Sequence, residues 1–172
     1  GQFLMLGGLL TFVLFTATKW NPLLLSLILI PLFFGIGYLF EKGLIRPLLG
    51  RKGHELVIAS ILVTLGASLA IEDITSFLWG PEEKSISYII PSLTIGSMVI
   101  SSVRLLGLLF ITVLTVAVHL FLKKTYTGRA LRATTQDRQG AMLMGVNTFR
   151  IGSITFGIGT ILASAAGVFY VI

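Results

Sequence analysis

The chain has 172 residues, 55% of them hydrophobic and only 12% charged, with a mean hydropathy of +0.96. That balance excludes an ordinary soluble domain of this length and describes an integral membrane protein. The absence of cysteine excludes disulfides and thiolate metal sites, and two isolated histidines make no metal cluster, so no cofactor is implied. A net charge of +6 would suit nucleic acid in a soluble protein, but here the basic residues concentrate in two loops beside apolar segments, which makes membrane topology the better explanation.

Five stretches are candidates to cross about 30 Å of hydrocarbon at the rise of an α-helix. They are Gln2 to Thr18, Pro22 to Phe40, Leu56 to Trp79, Leu105 to Leu122 and Phe149 to Ile172. The first is short and reads either as the remainder of a span or as a re-entrant piece. Pro22 suits the first turn of its helix, while Pro31 falls mid-segment and predicts a kink near Leu27. Gly1 is not preceded by a methionine, no basic n-region with a cleavage site opens the chain, and Gly167 to Ile172 is still apolar. The expectation is a single membrane domain, residues 1–172, drawn from the interior of a longer protein.

The loops predict orientation. Glu41 to Glu55 carries Lys42, Arg46, Arg51 and Lys52, and the stretch from Lys123 to Arg150 adds Lys123, Lys124, Arg129, Arg132, Arg138 and Arg150. Lys19, Lys84 and Arg104 remain for the opposite side, and five alternating spans reproduce this positive-inside pattern. The 123–150 loop is therefore expected to be cytoplasmic.

On the third span, Ser60, Thr64 and Ser68 recur every four residues and share a face. They either line a hydrated path or, as such hydroxyls more often do, bond a neighbouring helix or their own backbone. Glu72 and Asp73 lie about 10 Å by helical rise from the outer end of that span. They either belong to an outer translocation vestibule or meet water because the span ends earlier. In the outer connection, Ser92 to Ser102 is compatible with a short hairpin turning near Gly96, with Ser101 or Ser102 capping the next helix; it is either a flap that helps receive a solute or a passive connector. His119 and His54 read as interfacial histidines, and Glu82 and Glu83 as solvated. On the last span, Thr155, Gly159, Ala163 and Gly167 form a small-residue series that predicts a helix-packing interface.

The loop from residue 123 to 150 carries the most information. Thr134 and Asp137 have the spacing of a helix N-terminus, Gly145 is placed to stop that helix, and Asn147 or Thr148 can cap the next one. The short helix, about Gln136 to Met144, cannot persist alone in water and needs a partner surface. Its last turn offers Ala141, Met142, Leu143 and Met144, and methionine adapts to a groove that it must enter and leave.

The segment GRALRATTQDRQGAMLMGVN, together with FxMLG at Phe3 to Gly7, RPLxGR at Arg46 to Arg51 and the closing small-residue helix, resembles the membrane permease subunits of bacterial ABC importers of the branched-chain amino acid type. The resemblance covers nearly the whole chain. It implies an all-α polytopic membrane protein, a bundle of about five transmembrane helices with a short cytoplasmic coupling helix that docks on an ATPase subunit. In that family the coupling core reads Glu-Ala-Ala-x-x-x-Gly; the matching residues are Gln139, Gly140, Ala141 and Gly145, with Gln139 in place of the glutamate and Gly140 in place of the first alanine. Gln136, Asp137, Met142 and Met144 complete the expected coupling site.

The resemblance further implies a bacterial inner-membrane location, a second permease subunit, two cytoplasmic ATP-binding subunits, an extracytoplasmic solute-binding protein and contact with membrane lipid. A branched-chain amino acid is the implied solute, with urea or short amides as nearby alternatives. The chain has no G-x-x-x-x-G-K-[ST] phosphate loop and no nucleophile-base arrangement, so it is not expected to be an enzyme. The rival class is an ATP-independent secondary carrier or a membrane scaffold whose basic loop anchors anionic lipid.

Overall fold

The computed structural model describes residues 1–20, 22–50, 54–80, 86, 93–95, 98–100 and 102–171. Helices dominate: α1 (Gln2–Thr18), α2 (Pro22–Phe40), α3 (His54–Trp79), α4 (Ser102–Lys124), α5 (Tyr126–Gln136), α6 (Arg138–Leu143) and α7 (Thr148–Val171). Among the described residues, four helical runs are long and apolar enough to cross a membrane: Leu24–Leu48, His54–Trp79, Leu105–Lys124 and Thr148–Val171. At 17 residues, α1 is a shorter apolar helix. The architecture is that of an all-α polytopic membrane protein.

The second span runs further than the sequence predicts. Pro31 lies inside α2 without ending it, and α2 passes into a π turn, Glu41–Ile45, in which the Arg46 N–H donates to the Glu41 carbonyl, and then into a 3₁₀ turn, Arg46–Gly50. Glu41 to Gly50 is therefore helical rather than loop. Leu44, Ile45 and Leu48 keep an apolar period through it, and Pro47 falls early in the 3₁₀ turn, where a missing N–H costs little. Arg51 and Lys52 lie outside the described residues.

The chain divides into two compact units. The first comprises residues 1–84 and 152–171, and its core is built by α7 against α1 and α2. On α2, Leu25, Leu29 and Phe33 follow one another at single-turn spacing and are almost fully buried. On α7 the residues buried on the face toward these helices are Ser153, Gly157, Thr160, Ser164, Gly167, Val168 and Val171, at a mixed three-and-four spacing, while Thr148, Ile151 and Ala165 are buried off that face. The helices meet at backbone range. A side chain on Gly167 would collide with the Leu4 carbonyl, and one on Gly7 would lie 2.5 Å from the Ser164 carbonyl oxygen. The Thr160 hydroxyl donates to the Phe33 carbonyl at 2.9 Å, and Phe3, Phe40 and Phe156 stack into one aromatic cluster with neighbouring centroids 5.5 to 6.1 Å apart.

Of the predicted small-residue series, Gly167 is on this packed face and Ala163 is half-buried beside it, whereas Gly159 is exposed with no atom within 4 Å of its would-be side chain. A strict four-residue repeat advances about 40° per step around a 3.6-residue helix, so residues 155 to 167 cannot all face one neighbour. By contrast, α3 buries only Thr75 among its described side chains and turns Ile61, Leu62, Leu65 and Leu69 outward.

The second unit comprises residues 85–151. Strands β1 (Leu93–Ile95) and β2 (Met98–Ile100) pair antiparallel, Leu93 opposite Ile100 and Ile95 opposite Met98, in the hairpin that the sequence suggests. The turn around Gly96, the cap candidate Ser101, and Glu82 and Glu83 lie outside the described residues. After the hairpin come α4, ending in Lys123 and Lys124, then α5, α6 and the first turn of α7.

Replacing Gly167 by alanine forces a methyl group into the Leu4 backbone, an overpacking change of about 1 to 3 kcal/mol. Thermal melting of the full-length protein in detergent is expected to show a lower midpoint for Gly167→Ala and an unchanged or slightly higher one for Gly159→Ala, where alanine meets open space and favours the helix. Equal midpoints for the two variants would show that the close approach does not contribute to stability.

Candidate coupling segment

Thr125 opens this region as the N-cap of α5: it is extended, and its hydroxyl accepts from the Gly128 N–H at 3.0 Å. Gly128 is buried, and a side chain there would come within 2.5 Å of the Leu122 Cα, so α5 can fold directly back on the end of α4. Sequence reasoning missed α5 as a separate helix. Its signal was a threonine cap followed by Ala130, Leu131 and Thr134 at helical spacing.

Asp137 separates α5 from α6. Its backbone is extended, and its Oδ1 accepts from the Gln139 N–H at 2.9 Å, which makes it the N-cap of α6. The capping pattern read from the sequence assigns that role to Thr134, with Asp137 three residues inside the helix. Instead Thr134 belongs to α5, where its hydroxyl donates to the Ala130 carbonyl at 2.8 Å, and Gln136 ends α5. Asp137 takes the cap because an Asx side chain can bond the N–H two residues on. Gly140 has a role here: a Cβ at that position would lie 2.5 Å from Asp137 Oδ2, so glycine leaves the capping carboxylate its place.

Gly145 stops α6. It sits at φ +80, its N–H donates to the Met142 carbonyl, and the Val146 N–H donates to the Ala141 carbonyl, both at 3.0 Å. This paired arrangement is a Schellman termination, which needs a left-handed residue and so favours glycine. Two residues later Asn147 Oδ1 accepts from the Arg150 N–H at 3.0 Å and caps α7. The Arg138 guanidinium lies 5.6 Å from the centre of the Phe149 ring, joining the first residue of α6 to the first turn of α7. The Thr148 hydroxyl is buried and has no partner among the described residues.

Both ends of α6 are therefore fixed, and its apolar residues divide. Ala141 is buried at 5% exposure, while Met142, Leu143 and Met144 are 45%, 89% and 85% exposed. Gln139 is exposed on the same short helix.

The other candidate residues lie in the first unit. The Ser60 hydroxyl donates to the Leu56 carbonyl, and the Thr64 hydroxyl donates to the Ser60 carbonyl at 2.7 Å, so both turn back on their own helix. Ser68 is half-buried, and Asp73 is exposed. Glu72 Oε2 accepts from Gln2 Nε2 at 3.2 Å, which brings it to the start of α1. His54 and His119 are exposed, and among the described residues no group of acids, histidines or cysteines could hold a metal ion. One polar residue that sequence reasoning passed over is Glu41, counted there as the first residue of a loop; it is 4% exposed. Only the position of α7 reveals it, because its partner is 112 residues away.

Removing the Asp137 cap is expected to cost α6 about 1 kcal/mol. Hydrogen exchange should then show faster exchange of the amides from Gln139 to Leu143 in Asp137→Ala, with those of α7 unchanged. Unaltered exchange in that segment would mean that α6 is held by something other than its cap.

The whole chain, residues 1–172, matches the family described as the permease component of branched-chain amino acid transport systems. Among its relatives is the high-affinity branched-chain amino acid transport system permease protein BraD of Pseudomonas aeruginosa, 28% identical over 77% of this chain and 44% of the relative. The permease protein LivH of Salmonella typhimurium is 25% identical over 98% of this chain and 58% of its own length, and LivH of Escherichia coli K12 is 28% identical over 77% and 44%. The chain spans about half the length of the curated relatives it matches. No solved structure matches it. With a match over its full length, and with apolar membrane-length helices in the order described, the chain belongs to the family of branched-chain amino acid transport system permease components.

Proposed function

We propose that this chain forms part of the translocation path of an ABC importer for branched-chain amino acids in a bacterial inner membrane, and that α6 couples it to a cytoplasmic ATPase. One observation carries the reading: a six-residue helix, capped by Asp137 and terminated at Gly145, holds Met142, Leu143 and Met144 out from the fold. Six residues do not hold a helix in water unaided, so their capping and termination favour a required shape. Apolar residues at such a tip favour a protein groove, and two methionines favour one whose contacts are remade during a cycle.

In this reading the excess of lysine and arginine places α6 on the cytoplasmic side. A second permease subunit completes the path, two ATP-binding subunits supply the hydrolysis, and an extracytoplasmic binding protein makes the first selection of solute. Gln136, Asp137, Gln139, Gly140, Ala141, Met142, Met144 and Gly145 make or shape the docking surface. Transport then requires the ATPase to hold α6 differently in its two nucleotide states, because a partner shifts an equilibrium only by its differential affinity for the two states. The names of the relatives favour a branched-chain amino acid over urea or a short amide.

The test is co-purification of the full-length protein with its candidate ATPase subunits in detergent, comparing wild type with Met142→Asp/Met144→Asp. Each exposed methionine contributes about 1.5 to 3 kcal/mol if fully buried on docking, so the double variant is expected to retain less than about a tenth of the ATPase. Association that survives the double change would remove α6 from the interface. No association in wild type would instead favour an ATP-independent carrier or scaffold.

A further inference from the structure

Glu41 is the first residue of the π turn that follows α2, and it is buried. Its carboxylate accepts a hydrogen bond from the hydroxyl of Ser153 on α7, itself only 1% exposed. The adjoining Gly152 leaves room for this contact, since a Cβ there would lie 3.2 Å from Glu41 Oε1. The partner is a neutral hydroxyl rather than a cation. Removing a carboxyl group from water costs more than one such bond returns, and an apolar pair of similar volume would hold the two helices at least as firmly. Stability is therefore a poor reason for the pair.

The backbone supplies a second observation. The bond from the Arg46 N–H to the Glu41 carbonyl spans five residues and widens the helix by one residue where the carboxylate reaches α7. Such π turns are rare and gather at functional sites. Ser153 stands in the second turn of α7, the helix that begins three residues after Gly145.

We propose that the Glu41–Ser153 hydrogen bond is a positioning link that ties the end of α2 to the opening turns of α7, so that a displacement delivered to α7 from the coupling segment is carried into α2. The inference rests on the importer reading. Neither residue touches solute or nucleotide; both act through the helices they join. A single buried bond suits the task because it has two discrete states, made and broken, inside a core that does not deform continuously. Without it α6 still docks, but the end of α2 at Glu41 no longer follows the opening turns of α7, and ATP turnover separates from transport.

The experiment uses the full-length permease in lipid nanodiscs with its ATPase subunits and binding protein, and reads ATPase retention, KM for ATP, solute-stimulated ATP turnover and uptake. Ser153→Ala and Glu41→Ala are expected to lower stimulated turnover and uptake about tenfold while retention and KM stay at wild-type values. Combining them should do no further harm. Glu41→Gln keeps an oxygen that accepts from Ser153 and is expected to remain within about twofold of wild type, which a loss of buried charge would not allow. It also serves as the informative variant if Glu41→Ala does not fold. Wild-type coupling in Ser153→Ala, or Glu41→Gln as impaired as Glu41→Ala, overturns the link while leaving the importer reading intact. Failure of the wild type to retain any ATPase overturns that reading and the link together.

Discussion

Where α7 meets α1 there is no room for a side chain, and the first unit depends on that contact. Gly167 approaches the Leu4 backbone, and Gly7 approaches the backbone of Ser164, so the two helices touch main chain to main chain. In a bilayer, leucine gains little from leaving lipid for a neighbouring helix. Association therefore depends on close packing and on hydrogen bonds. The same face of α7 also receives α2: Thr160 bonds the Phe33 carbonyl, and Gly157 would place a Cβ 2.8 Å from the Phe34 ring. Once α7 is seated between α1 and α2, the positions of Ser153 and Glu41 follow. The polar contact is possible only because small residues brought the backbones together first.

Long apolar runs were legible in the sequence because twenty residues of hydrophobic periodicity have few other uses, and α3, α4 and α7 start and stop within a few residues of where composition places them. Helix ends were legible where few residue types suffice: glycine at residue 145, and for the start of α7 a choice of Asn147 or Thr148, of which Asn147 is the cap. The face of α7 was only partly legible. A four-residue repeat of small side chains is easy to see in a sequence, but the packed face follows the 3.6-residue turn, and the repeat departs from it at Gly159. Likewise Thr134 and Asp137 both satisfy the capping pattern, and local geometry alone decides between them. Glu41 was illegible for a different reason. A glutamate before a lysine reads as the start of a loop, and nothing near it in sequence discloses a partner 112 residues later.

The segment that holds α6 reverses the usual relation between helix length and order. Six residues cannot hold a helix by propensity, so order has to come from both ends. Asp137 and the Gly145 turn supply it, with Ala141 as the one buried apolar side chain of α6, and Arg138 over Phe149 joins the segment to the next helix. Met142, Leu143 and Met144 are thereby left unused by the fold. A segment that had to bury its own methionines to stay helical would have none to offer a partner. Capping and exposure are thus two parts of one arrangement, and Gly140, a poor helix former, belongs to it because its missing Cβ leaves the capping carboxylate its place.

Polar residues inside the first unit differ in whether any of their bonds leaves their own helix. The hydroxyls of Thr11 and Thr75 donate to carbonyls of their own helices, which removes the cost of burial without committing the helix to any neighbour. Thr160 and the Glu41–Ser153 pair bond across helices, and so constrain which residues of α2 and α7 lie opposite one another. Between these two cross-helix contacts the chain runs from Phe33 on α2 to Glu41 in the π turn, and α7 from Ser153 to Thr160, about two turns of each. Two fixed points on one pair of helices define both translation and rotation, whereas apolar packing alone would tolerate small sliding along the groove. Of the two, the Thr160 contact ends on a backbone carbonyl and moves only with the helix, while the Glu41 contact ends on a flexible side chain. If α2 and α7 shift against each other at all, the place where such a shift can begin is the glutamate in the π turn.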